Sequence, residues 1–163
     1  MNPAAEIQQK IIDREKLPSL LRQIRAEGKR IVFTNGCFDL LHPGHLHLLH
    51  TARQEGDLLI AGLNTDDSVR RLKGADRPVM DEYSRALMLS ALFFVDHVVL
   101  FDEDTPIQLI RIIRPDILIK GGDYQKDEIV GADFVAAYGG KTIVIPFLRG
   151  FSSSGIIDKT RNL

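Results

Sequence analysis

Short apolar runs recur along this chain. A polar or glycine-bearing turn follows most of them, and then a stretch with helical spacing of apolar residues. The runs Arg30–Phe33, Asp57–Leu63, His97–Phe101, Asp116–Lys120 and Lys141–Pro146 read as strands. Between them, Leu46 to Arg53 has helical periodicity and stops near Gly56. Thr65 or Asp66 can cap a helix through Leu72, and Asp81 can cap one to Phe94. Thr105-Pro106 opens a further helix that ends before Pro115. Another spans Glu128–Tyr138 and ends at Gly139-Gly140, and a last one follows Ser152-Ser153-Ser154-Gly155. Upstream, residues 1–16 are polar and weakly patterned, and Pro18 opens a helix over Ser19–Ala26 that Gly28 ends. Strands alternating with helices at this spacing predict βαβ crossovers. The fold class is therefore α/β: a single-domain, Rossmann-like sheet of five parallel strands with helices on both faces. Ligands bind such sheets beyond the carboxyl ends of the strands. The loops after strands one, two, four and five are expected to converge there.

Length and composition narrow the field. A chain of 163 residues is enough for one core, and 44% hydrophobic with 26% charged residues is ordinary for a globular domain. A net charge of −1 gives no electrostatic reason to expect nucleic acid or an anionic membrane surface as partner. One cysteine allows no internal disulfide and suits a reducing compartment. The first ten residues lack the apolar core of a signal peptide, and no run reaches transmembrane length, so a cytoplasmic location is expected.

The chemistry concentrates in Thr34-Asn35-Gly36-Cys37-Phe38-Asp39-Leu40-Leu41-His42-Pro43-Gly44-His45. Two imidazoles stand three residues apart where a helix begins, and the free N–H groups and dipole of a helix start attract anions. Imidazole N–H groups donate to phosphate oxygens, more strongly when protonated. Gly44 permits close approach to the backbone. Zinc is a rival ligand because His47 and His50 follow, but the four imidazoles share no narrow helix face and no HExxH or cysteine pair accompanies them. Gly139-Gly140-Lys141-Thr142 resembles a phosphate-binding P-loop. It lacks the first glycine, Val135 standing there, and it precedes a strand instead of a helix.

The Thr34–His45 stretch resembles the signature of the His-x-Gly-His nucleotidyltransferases, the cytidylyltransferase-like group. The likeness continues through Asn64-Thr65-Asp66, Arg71-Leu72-Lys73-Gly74, Arg77-Pro78-Val79, Ala91-Leu92, Val95-Asp96, Asp104-Thr105-Pro106, Pro115 to Tyr124 and Ser152-Ser153-Ser154. In that order these motifs resemble the adenylyltransferase half of bacterial ADP-heptose synthases, and Lys120-Gly121-Gly122-Asp123-Tyr124 points to the heptose branch. The resemblance covers roughly residues 30–160. It implies a helical lead-in over 1–29 and a nucleotidyltransferase domain over 30–163. One departure is Ser152-Ser153-Ser154, where the family usually has Ser-Thr-Thr; the hydroxyls and backbone N–H groups remain.

The resemblance implies catalytic roles for His42, His45 and Lys73. Lys73 is read in a glycine-containing loop that can swing over a polyphosphate as a point charge. It places Thr34, Asn35, Gly36, Phe38, Gly44, Asn64, Arg85, Lys120, Gly121, Ser152, Ser153 and Ser154 at the nucleotide and its phosphates. Asp39 belongs to the same group, orienting the histidine segment or lying near a metal. Cys37 reads as a small buried filler. Gly122, Asp123 and Tyr124 are expected at the sugar, Asp123 accepting from its hydroxyls. The implied reaction joins ATP to D-glycero-β-D-manno-heptose 1-phosphate, giving ADP-heptose and pyrophosphate for lipopolysaccharide core assembly. Mg²⁺ would be held mainly by the phosphates. Because only about thirty residues precede strand one, a separate heptose kinase is expected upstream. A homodimer is expected by analogy with relatives. A cytidylyltransferase acting on an alditol or aminoalcohol phosphate, and a non-catalytic nucleotide-binding module, are the alternatives.

Overall fold

A computed structural model describes residues 3–122, 125, 128–148 and 150–161. The elements run α1 (Pro3–Gln9), α2 (Leu17–Ala26), β1 (Ile31–Gly36), α3 (Pro43–Gln54), β2 (Leu58–Asn64), α4 (Asp66–Lys73), α5 (Glu82–Ser90), β3 (His97–Phe101), α6 (Ile107–Ile113), β4 (Ile117–Gly121), α7 (Ala132–Ala137), β5 (Lys141–Ile145) and α8 (Ser153–Arg161). Among the described residues the strands form one five-stranded parallel sheet in the order β3-β2-β1-β4-β5. The order reverses between β1 and β4, and a crevice opens at the carboxyl ends of the strands at such a point.

Alternation along the strands divides the core into two layers. Ile31, Phe33, Ile60, Val99 and Leu118 pack with α2, α6 and α7 on one face. Val32, Leu59, Ala61, Leu63, Val98 and Ile119 pack with α3 and α5 on the other. All seven residues of β2 are buried, as a strand covered on both faces requires.

Several boundaries differ from the sequence reading. Strand β1 continues through Thr34-Asn35-Gly36, which composition reads as a turn, because those residues stay paired with Ala61, Gly62 and Leu63. Helix α3 starts at Pro43, so His45 lies in its first turn. Helix α4 reaches Lys73, which therefore ends a helix and does not belong to the following loop. Helix α5 stops at Ser90, and the carbonyls of Leu92 and Val95 just beyond accept from Lys10 Nζ at 3.1 and 2.8 Å. Helix α7 begins only after Gly131, whose φ of 89° breaks the expected Glu128 start.

The weakly patterned N-terminal stretch contains α1 and an isolated parallel bridge from Ile11 to Val98. Ile12 N–H donates to the Val98 carbonyl, and Val98 N–H to that of Lys10, which covers the open edge of β3. Leu17, Leu21 and Ile24 of α2 are part of the core itself.

Candidate active site

The turn between β1 and α3 brings the two histidines together. His42 is the N-cap of α3 and its Nδ1 accepts from Gly44 N–H at 3.1 Å, with Pro43 at the first helical position. The His42 and His45 rings stack with centroids 3.9 Å apart at 23°. Phe38 meets the His45 ring edge-on at 5.2 Å, and it holds a φ of 42°, a left-handed conformation a non-glycine residue adopts only where its surroundings enforce it. A Cβ on Gly44 would lie 2.9 Å from the His42 ring. The glycine thus makes room first for the histidine.

Burial pushes the His45 imidazole down to about 4, helped by neighbouring His42 and Lys73, while the Leu40 carbonyl and Asp39 pull the other way. Burial also lowers His42. Both shifts favour the neutral imidazole, and an anion bound beside the rings would oppose them.

Two cavities open at the strand ends. One of about 560 Å³ is lined by His42, Gly44, His45, Lys73, Gly121 and Ser152 to Ser154, with Phe147, Leu148 and Phe151 as apolar wall. Helix α8 begins here: Ser152 Oγ accepts from Gly155 N–H at 3.0 Å, and Ser153 Oγ donates to the Leu40 carbonyl at 3.1 Å, tying this helix start to the histidine segment. The second cavity, about 520 Å³, is lined by Asn35, Gly36, Phe38, Asn64, Lys120 and others, and shares His45, Lys73 and Gly121 with the first. Burial lowers the Lys120 ammonium.

Three expected contacts are placed otherwise. Arg85 is 1% exposed. Its Nε donates to the Met80 carbonyl at 2.9 Å, Nη1 to the carbonyls of Cys37 and Asn64 at 2.7 and 2.9 Å, and Nη2 to Asp66 at 2.7 Å. With these donors turned inward it ties three segments together and lines neither cavity. Thr34 is wholly buried and its hydroxyl, without a partner among the described residues, does not line either cavity. Gly122 is buried too, its N–H donating to the Ile145 carbonyl at 3.0 Å; its φ of 134° suits a turn, and it lines neither cavity.

Asp39 is buried and is given over to the segment after α4. It accepts from Arg77 Nε at 2.7 Å and from the backbone N–H groups of Val79 and Met80 at 2.8 and 3.1 Å. It thereby ties that loop to the histidine turn. Asp123 and Tyr124 lie outside the described residues. Cys37 is half-buried and lines the second cavity, so it is not a core filler. Asp104 and Thr105 were missed, although they follow β3 at the same sheet edge and line the second cavity; the strand-end rule applied to all five strands would have found them. Among the described residues no group of three or more His, Cys, Asp or Glu could hold a metal ion. No helix among them is long and apolar enough to cross a membrane.

Comparison with known proteins places this arrangement. Relatives called bifunctional protein HldE are 53% identical over 150 residues in Trichlorobacter lovleyi and 53% over 156 residues in Syntrophotalea carbinolica. The matches cover 92% and 96% of this chain but 30% and 32% of those proteins, so the chain spans about a third of their length. A crystal structure of a lipopolysaccharide core biosynthesis protein from Thermoplasma volcanium is 29% identical with a TM-score of 0.59, covering 74% of this chain and 98% of that one. A pantoate-beta-alanine ligase from Francisella tularensis shares the fold, with a TM-score of 0.62 at 18% identity over 94% of this chain and 72% of its own. The cytidylyltransferase-like family model matches residues 33–157, from the β1 strand that leads into the histidine turn to the α8 helix that faces it. The chain belongs to the cytidylyltransferase-like family of nucleotidyltransferases.

Proposed function

We propose that this chain transfers the adenylyl group of ATP to D-glycero-β-D-manno-heptose 1-phosphate, giving ADP-heptose and pyrophosphate for lipopolysaccharide core biosynthesis. The observation that carries the reading is a single cavity bounded by two helix starts, with the stacked His42–His45 pair on α3, the serines of α8 opposite, and Lys73 between the cavities. That is a polyphosphate environment. The match to proteins called bifunctional protein HldE, and to a lipopolysaccharide core biosynthesis protein, supports the sugar nucleotide end of the reading.

A phosphate oxygen of the sugar phosphate attacks the α-phosphorus of ATP. The bond from that phosphorus to the bridging oxygen of the β-phosphate breaks, and its electron pair leaves on pyrophosphate. The acceptor is already a competent nucleophile, so no covalent intermediate with the protein is required. The protein contributes position and charge stabilisation. His45 and His42 donate to the transferring and leaving phosphates, Lys73 supplies a positive charge, and Ser152 to Ser154 with the α8 backbone hold the distal phosphates. The described residues form no cage for Mg²⁺. The ion would enter with the nucleotide as part of the substrate, and no step is assigned to it. Because the acceptor carries a phosphate at C1, a sugar kinase reaction must precede this one. A cytoplasmic homodimer belongs to the same reading.

The test is pyrophosphate release measured across ATP and CTP and a panel of sugar, alditol and aminoalcohol phosphates. Release specific to ATP with the heptose 1-phosphate is expected, and His45→Ala should lower it on the order of 10²–10³-fold. Preference for CTP with an alditol phosphate, or nucleotide binding with no release, would overturn the assignment.

A further inference from the structure

Helix α4 is held in place mostly by polar contacts. Of its two apolar side chains, Val69 is buried and Leu72 is half exposed. Burial of apolar surface therefore does little to fix this short helix, and bonds to its neighbours set its position. At its start Asp66 accepts from Arg85 Nη2 at 2.7 Å, and the Asp66 N–H donates to Glu82 at 2.8 Å.

Along one side of α4, residues at three-residue spacing bond the loop that follows β3. Thr65 N–H donates to the Phe101 carbonyl at 3.0 Å, and the Thr65 hydroxyl donates to the Asp102 carboxylate. Ser68 Oγ donates to the Glu103 carbonyl at 3.3 Å. Arg71 closes the series. Its Nε donates to Asp104 at 2.9 Å, and its Nη2 donates to the Asp102 carbonyl and lies 3.4 Å from the Asp102 carboxylate. The loop is anchored in turn, because Glu103 pairs with Arg14 at 2.6 Å. Arg71 thus ties the last turn of α4 to a fixed support, two residues before Lys73 ends the helix. Helix ends fray when nothing holds that turn. Beyond Lys73, Gly74 stands in open space, so the last turn is what fixes the lysine backbone. Lys73 borders both cavities, whereas Arg71 and Asp102 line neither.

Resting on the adenylyl-transfer reading, in which Lys73 meets the phosphates, we propose that Arg71 is a positioning residue. Through Asp102 and Asp104 it fixes the last turn of α4 and so sets where the Lys73 ammonium stands between the two cavities. A displacement of about 1 Å in a group of this kind can cost on the order of 10²-fold in rate. Ion pairs as exposed as these contribute little to global stability. Loss of Arg71 should therefore be felt in turnover far more than in unfolding.

The experiment is a double-mutant cycle of Arg71→Gln and Lys73→Ala. For each protein it measures kcat, KM for ATP and for heptose 1-phosphate, calorimetric Kd for a non-hydrolysable ATP analogue, and thermal unfolding. Arg71→Gln is expected to lower kcat about tenfold or more, with an unfolding midpoint close to that of the wild type. In the Lys73→Ala protein the same change should cost less than about twofold, because the group it positions is gone. Asp102→Asn, remote from both cavities, should lower kcat in the same direction, and Arg71→Lys, which keeps the charge, should recover part of the loss. Equal losses with and without Lys73, or wild-type kcat in Arg71→Gln, would overturn the proposal. If the wild-type protein turns over a different acceptor, the heptose reading fails and the cycle is read on that acceptor. If it turns over none, the transfer reading fails and the cycle is read on the Kd of the ATP analogue. There, an Arg71→Gln effect that persists without Lys73, or no effect at all, overturns the positioning role.

Discussion

Arg85 offers the sharpest separation between a residue that binds phosphate and one that builds the site. Its guanidinium donates to the carbonyls of Met80, Cys37 and Asn64 and to the Asp66 carboxylate, and the side chain is fully buried. Replacing it with methionine keeps most of the volume and removes every donor. Breaking a buried ion pair costs about 3–5 kcal/mol, chiefly for the charge left behind. Here the partner Asp66 is 20% exposed, so water reaches it in part and the lower end, about 3 kcal/mol, applies to the pair. The three carbonyls add about 1 kcal/mol of net bonding between them once water rehydrates those it can reach. About 4 kcal/mol in a chain of this size lowers the melting temperature by roughly 8–16 °C.

Arg85→Lys keeps a charge near Asp66 but not the planar fork, and should lose about 1 kcal/mol, the carbonyl bonds. The assays are urea unfolding followed by circular dichroism, together with steady-state kinetics on whatever fraction remains folded. Unfolding midpoints should fall in the order wild type, lysine, methionine, with the KM for ATP little changed in Arg85→Lys. A lysine variant of wild-type stability whose KM for ATP rises tenfold would refute the reasoning and return Arg85 to the phosphates.

Two further outcomes follow from the histidine pair. His45 is depressed to about 4 in the folded protein against 6.5 for the free side chain, so between those values the unfolded chain binds more protons. Stability is complete above pH 6.5 and declines as pH falls toward about 4, by about 3 kcal/mol at most; that part of the slope should disappear in His45→Gln, and a slope unchanged in the variant would assign it elsewhere. Gly44→Ala puts a methyl 2.9 Å from the His42 ring, which must swing off its stack on His45. Turnover should fall at least tenfold with the protein still folded, read as kcat alongside the His42 ring resonances, and full activity would show that the stacked arrangement is dispensable.

Much of this site is legible along the chain because its parts are local. The histidine pair, its proline and glycine, and the serine-rich start of α8 are each contiguous in sequence, and each performs its role through backbone geometry that short-range chemistry dictates. Parallel pairing follows from alternation of apolar runs with helices, whereas the strand order comes from the structure alone. What escapes is charge that has gone inside. Arg85 and Asp39 look like surface or phosphate-binding residues by type, yet one spans from α5 to three segments and the other reaches across about forty residues to the 77–80 loop. Spacing held a clue for Arg85: it stands four residues before Leu89 and next to Ala86 on the face of α5 that packs inward. Asp39 has no such periodic neighbour, and only the fold reveals its partners.

The two buried charges also anchor one end of the 73–80 segment. Met80 is gripped from both sides, its N–H donating to Asp39 and its carbonyl accepting from Arg85. Val79 N–H and Arg77 are bound to the same Asp39 carboxylate. The far end of the loop is thus anchored to the histidine turn itself. At the near end, Gly74 has a φ of 98° with open space around it. Residues 74–76 are exposed. Lys73 sits immediately before that stretch and borders both cavities. On the proposed reading, the anchored far end of the loop keeps the groups around Lys73 in place while phosphates react beside it. Preorganised donors stabilise a developing charge best when they do not have to reorganise.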